Sequence, residues 1–232
     1  MRLVKGFGIV ALTLCTGSFA FAQDAAMPVK DGGIFAKGWA GKIDAQEEKA
    51  GANINQARLD EKGGTFTVRT GPATTYWNPA NKAMGSYTVS ATFNEPQYMN
   101  LMDHPHPYGI MIAGNDLGTE TQSFFYCAAY GNGTFIARGM GPAPFTAQAT
   151  RKPEPNAAIA KAAGKNAPVK QDIAVTVTAD KVECAINGTV VGSYNKADLV
   201  AAGKLKSTDG VYGIRFAHNT EATVTNFMMK KK

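Results

Sequence analysis

The chain has 232 residues, three cysteines, three histidines and a formal net charge of +6. That length is ample for a sizeable core and fits one large β domain or two small ones. The 24 basic and 18 acidic side chains are scattered, and the lysine run at 230–232 reads as a terminal tail, so no basic stripe points to nucleic acid.

Met1–Lys5 forms a basic head, Gly8 to Cys15 an apolar run broken only by Thr13, and Ala20-Phe21-Ala22 a small-x-small cleavage site. This order reads as a secretory signal over residues 1–22, with the mature protein starting at residue 23 and working in the periplasm or outside the cell. The apolar run is too short for the roughly 20 residues a membrane helix needs, and no later segment approaches that length, so no membrane insertion is expected after cleavage. Leu14 before Cys15 argues against a lipid anchor. Loss of Arg2 and Lys5 with the signal lowers the net charge to +4.

Beyond the signal the chain reads as strand after strand. Thr65 to Thr70 places Phe66 and Val68 on one face, and Ser86 to Phe93 alternates without a fault, Tyr87, Val89, Ala91 and Phe93 facing inward. Tyr108 to Ile112, Phe124 to Tyr130 and Phe135 to Ala137 are continuous apolar runs, as expected of strands buried on both faces. The period of two returns at Ile173 to Thr178, Val182 to Ile186 and Tyr212 to Phe216. Asn187-Gly188 separates Val182–Ile186 from Val190-Val191 and predicts a tight hairpin, since both residues accept positive φ. Helix is expected only at Pro155 to Ala163, rich in alanine, and at Ala197 to Ala202, with Asn195 as a cap. The proline-, alanine- and lysine-rich stretch 139–170 breaks the rhythm and reads as a long surface excursion within one domain spanning 23–232. The expected fold is all-β, a two-sheet antiparallel jelly-roll sandwich with one or two short helices.

Cys127 and Cys184 remain after signal cleavage, an even count in an oxidising compartment, and fit either a disulfide or two buried thiols.

Gly38-Trp39, Gly64-Thr65-Phe66-Thr67-Val68 and Gly85 to Phe93 resemble the opening strands of concanavalin A-like lectin/glucanase jelly rolls. Ile173 to Val177 followed by Val182 to Gly188 resembles the hairpin of that superfamily. Asp209 to Arg215 with Val224-Thr225-Asn226-Phe227 resembles its closing strands. Within the superfamily the chain is most similar to the exported bacterial group named after 3-keto-disaccharide hydrolase. The resemblance covers Trp39 to Met228, and it implies the fold and a carbohydrate ligand more directly than an activity.

Laminarinase-type relatives carry Glu, Asp and Glu at alternate positions of one strand, so that all three carboxylates face the sugar. Lys42-Ile43-Asp44-Ala45-Gln46-Glu47 has lysine at the first position and the wrong spacing, so no paired catalytic carboxylates are assigned.

The polar cluster Asp103-His104-Pro105-His106-Pro107-Tyr108 holds two of the three histidines on a proline-stiffened segment. It reads three ways: a sugar-facing loop, turn chemistry, or a divalent-metal site completed by Asp103 or Asp116. No cofactor is assigned; a divalent metal is the one candidate. Candidate ligand-binding residues are His104, His106, Tyr108, Arg138, Arg215, His218 and Asn219, with Tyr76 and Trp77 as ring stackers. No nucleophile elbow, phosphate loop or dinucleotide fingerprint is present. The sequence reads as an exported monomer that engages a carbohydrate or glycan, with two alternatives: a hydrolase of 3-keto-disaccharides or related glycans, and a non-catalytic structural or adhesion module.

Overall fold

The computed structural model describes residues 25–232, and the predicted signal lies outside the described residues. Sixteen strands run through them: β1 (Gly33–Ile34), β2 (Ala40–Ile43), β3 (Ala57–Lys62), β4 (Thr65–Thr70), β5 (Thr74–Ala83), β6 (Tyr87–Glu95), β7 (Tyr108–Asn115), β8 (Ser123–Tyr130), β9 (Thr134–Met140), β10 (Phe145–Thr146), β11 (Glu154–Pro155), β12 (Val169–Val177), β13 (Lys181–Ile186), β14 (Thr189–Asn195), β15 (Gly210–Phe216) and β16 (Glu221–Lys231). One sheet has the order β1-β3-β4-β16-β6-β12-β13-β14, and the other β10-β9-β8-β7-β15-β5-β2 with β11 also on β9. All pairings are antiparallel except β1 with β3. No described helix is long and apolar enough to cross a membrane.

The alternation that marks β6 in the sequence decides its two faces. Tyr87, Val89, Ala91 and Phe93 are buried, and the serines and threonines between them face outward. The same parity sends Val175 of β12 and Cys184 of β13 inward, and these residues lie opposite each other in register. Phe125, Cys127 and Ala129 of β8 meet this layer from the other sheet, giving one inner core. Cys127 and Cys184 form a disulfide with Cα atoms 5.9 Å apart, joining β8 of one sheet to β13 of the other. Asn187 (φ 49°) and Gly188 (φ 81°) form the predicted turn between β13 and β14.

β7 and β8 are buried on both faces, because the outer face of their sheet carries a second apolar cluster: Trp77, Met111, Phe124, Tyr126, Ala128 and Ile136. This is the physical origin of the continuous apolar runs in their sequences.

The stretch 139–170 contains no α-helix, contrary to expectation at 155–163. Its chain instead completes the open edge of β9. β10 pairs with Arg138 and Gly139, β11 pairs with Thr134 and Phe135, and buried Gln148 fills the gap. The Gln148 Oε1 accepts from the Ala137 amide at 2.9 Å, and its Nε2 donates to the Phe135 carbonyl at 3.4 Å. Over 155–163 the Asn156 and Ala162 amides donate to the Gly133 and Gly131 carbonyls, and Gln171 and Asn187 bond to Ala160 and Ala158, so tertiary hydrogen bonds outweigh the alanine propensity. Helix α1 (Ala45–Lys49) was not foreseen, and α2 (Lys196–Leu199) is shorter than expected. Asn195 makes no capping bond to α2; its amide donates instead to Asp198 at 3.0 Å.

Candidate functional site

A cleft of about 340 Å³ opens on the outer face of the β8–β9–β15 region. Alternate residues of β8 supply Tyr126, Ala128 and Tyr130, and β9 supplies Ile136 and Arg138, because every second side chain of a strand points to this face. Arg215 comes from β15, Asp44 from the end of β2, and the histidines from two loops at the rim.

Arg215 forms the electrostatic anchor. Its Nη2 donates to Asp44 Oδ2 at 2.5 Å, its Nη1 donates to the Thr75 hydroxyl at 3.2 Å, and its guanidinium lies 5.6 Å from the Tyr126 ring centroid. Only 6% of Arg215 is exposed. Burial works against its charge, but Asp44 and Tyr126 more than offset it, so the group is firmly cationic. Asp44 sits at the N-terminus of α1, whose Glu47 accepts from the buried Ala73 amide at 2.6 Å. Burial raises the Glu47 carboxyl above its ordinary range, while the Ala73 bond pulls it back. Burial likewise raises the Tyr126 hydroxyl, against the pull of Arg215 and Arg138.

The histidines come from separate parts of the chain. His104 and His106 stand on the loop stiffened by Pro105 and Pro107, and His218 follows β15. The Ala217 amide donates to the Pro107 carbonyl at 2.9 Å and holds these segments together. One ring nitrogen from each histidine lies within 4.8 Å of the others. The Nε2 atoms of His104 and His106 are 2.9 Å apart, and the His106 and His218 ring centroids 4.1 Å apart. His104 is exposed, His218 half-buried and His106 buried. Burial first, then the neighbouring His218 and His104, pushes His106 down to about 3, so its imidazole is neutral at physiological pH.

Thus His104, His106, Arg138, Arg215 and His218 converge on one cleft, while other candidates lie elsewhere. Tyr108 is fully buried in the inner core, stacked on Phe93 at 5.5 Å, because it begins β7 on the inward parity. Tyr76 is also fully buried in that core. Trp77 does face outward on β5, but it packs in the outer apolar cluster beside Leu117 and does not line the cleft. Asn219 is buried and serves the backbone: its Oδ1 accepts from the Met27 amide at 2.7 Å, and its Nδ2 donates to the Ala25 carbonyl at 3.2 Å. Neither aspartate considered beside the histidines joins them. Asp103 pairs with Lys165 at 2.6 Å, and Asp116 pairs with Lys206.

Asp44, Tyr126 and Tyr130 are cleft residues not singled out from the sequence as ligand contacts. The parity of β8 carried a signal for the two tyrosines; Asp44 depended on the unforeseen turn into α1. That turn also separates the segment 42–47 from any single-strand carboxylate arrangement, and Lys42 pairs with Glu48 at 3.3 Å.

No protein-family model matches the sequence, and no curated protein matches it. Among solved structures, the carbohydrate-binding module CBM66 from Bacillus subtilis superposes with a TM-score of 0.55 at 7% identity, over 86% of this chain and 99% of that one. A Bacillus subtilis protein of unknown function with a galectin-like fold gives 0.54 at 12% identity, over 83% of this chain and 89% of the other. At such identities the likeness bears on architecture alone. Together with the strand order, it establishes that the chain has the concanavalin A-like jelly-roll fold.

Proposed function

We propose that this is an exported carbohydrate-binding protein, acting as a monomer in the periplasm or outside the cell, with its ligand in the cleft over β8, β9 and β15. The carrying observation is the composition of that cleft. Two arginines, three imidazoles and one carboxylate stand beside the faces and hydroxyls of Tyr126 and Tyr130. Sugars offer paired hydroxyls to planar donors and acceptors and apolar ring faces to aromatics, and this wall supplies both kinds of partner. The Cys127–Cys184 disulfide supports export, because such bonds persist in oxidising compartments. The scattered charge supports a ligand other than nucleic acid.

A second reading, hydrolysis of 3-keto-disaccharides or related glycans, draws on Asp44 and the neutral His106 lining the same cleft. A glycan array run beside a 3-keto-glucoside hydrolysis panel separates the readings. Saturable binding without turnover, weakened in Arg138→Ala, is expected. Turnover that depends on Asp44 favours the second reading, and silence in both assays favours an adhesion or structural module.

A further inference from the structure

The three histidines meet in a way that sugar recognition does not require. Hydroxyl groups are served by polar side chains spaced along a wall, whereas here three imidazoles from two loops crowd within 4.8 Å. Their rings do not stack: the interplanar angles are 88° for His104 and His106, 59° for His106 and His218, and 70° for His104 and His218. We propose that His104, His106 and His218 form a binding site for one divalent transition-metal ion, Zn²⁺ or a borderline ion of similar preference, with its open position facing the cleft.

Distances fit that role. A tetrahedral Zn²⁺ with bonds of about 2.0–2.1 Å holds its nitrogen ligands about 3.3 Å apart. The 2.9 Å between His104 and His106 needs to open by a few tenths of an ångström, and the widest separation in the trio to close by at most about 1.5 Å. Side-chain rotation supplies both movements, since His104 is exposed and His218 half-buried. The scaffold needs no rearrangement: Pro105 and Pro107 restrict the first loop, and the Ala217–Pro107 hydrogen bond ties it to the second.

Three imidazole ligands suit Zn²⁺, Co²⁺, Ni²⁺ or Cu²⁺ and disfavour Ca²⁺ and Mg²⁺, which take oxygen ligands. Nearby carboxylates are committed elsewhere, Asp103 to Lys165 and Asp44 to Arg215. The fourth position therefore falls to water or to a ligand oxygen entering the cleft, as in sites that exchange ligands rather than closed structural ones. The inference stands apart from the carbohydrate reading, because three imidazoles bind the ion whatever else enters.

The test uses untagged mature protein stripped with chelator, titrated with ZnCl₂ by calorimetry and with CoCl₂ by visible absorption. One ion per chain is expected, with an intense Co²⁺ ligand-field spectrum displaced by Zn²⁺. His104→Ala and His218→Ala should each weaken Zn²⁺ binding by on the order of 100-fold or more and abolish that spectrum, whereas Asp103→Ala should leave both unchanged. Circular dichroism of each variant confirms the fold, and the two less buried histidines keep the test independent of His106. Absence of saturable one-to-one binding, or binding that survives both histidine substitutions in folded protein, overturns the proposal. No sugar is present, so failure here leaves the carbohydrate reading to its own assay.

Discussion

Reducing the Cys127–Cys184 bond should cost more stability than any surface change, because it is a covalent link between the sheets. The bridge closes a sequence separation of 57 residues. On the chain-entropy account, a loop of that length restrains the unfolded chain by about 14 cal/mol/K, or about 4 kcal/mol at 25 °C. Both cysteines are fully buried, so reductant should act mainly through unfolding. The assay compares equilibrium urea denaturation of the oxidised protein with that of protein unfolded and refolded under strong reductant. At a typical slope of about 2 kcal/mol/M, the midpoint should fall by about 2 M on reduction. Using the wild-type sequence in both arms avoids the cavity that a cysteine-to-alanine pair would leave. Coincident midpoints, with free thiols verified only in the reduced sample, would refute the reasoning.

Other substitutions test the placement of individual side chains. Glu95, 6% exposed at the end of β6, is pushed by burial up to about 7 from an ordinary 4.5. A raised carboxyl contributes stability that is fully present below pH 4.5 and is lost as pH rises to about 7, on the order of 3 kcal/mol in all. Glu95→Gln should remove that fall, read as the difference between the two proteins' unfolding free energies from pH 4 to 8, and parallel curves would contradict it. Tyr108→Ala should cost about 3–5 kcal/mol by emptying a fully buried core position, with Tyr108→Phe retaining glycan binding; lost affinity in a stable Tyr108→Phe protein would return that residue to the site. Arg215→Met should destabilise by about 1–3 kcal/mol in thermal or urea unfolding, because it leaves Asp44 without its cationic partner; Asp44→Asn in the same background should recover part of the loss.

Legibility in the sequence followed the strength of each physical signal. β4 and β6 each have one wet and one dry face, so period two marked them, and β7 and β8 were recognisable as apolar runs because both of their faces are covered. β3 was missed because Ala57–Lys62 carries four charged residues on its exposed side and end. β5 was missed because Pro79 and two asparagines interrupt it. The alanine-rich stretch at 155–163 misled because its backbone bonds to distant groups, the Gly131 and Gly133 carbonyls and the Gln171 and Asn187 side chains, a long-range demand that local propensity does not register. At the site, residue type found the histidines and arginines, yet only the fold could bring His218 to His106 across more than a hundred residues. Two aromatic candidates stand on inward parity: Tyr76 of β5 and Tyr108 of β7 are packed in the inner core, on the face away from the cleft. Asn219 was misread because its φ of 50° and its backbone bonds make it a turn residue.

The proposed function places a saccharide in the cleft between Tyr126, Tyr130, Arg138 and Arg215. Protein–glycan titration by NMR, with amide shifts of the mature protein followed against array-selected sugars, addresses it residue by residue. Saturable shifts should cluster on β8, β9 and the 103–107 and 217–218 loops and should weaken in Arg138→Ala. Shifts confined to the outer face of the β6–β12–β13 sheet, or no saturable shift with any sugar, would contradict it.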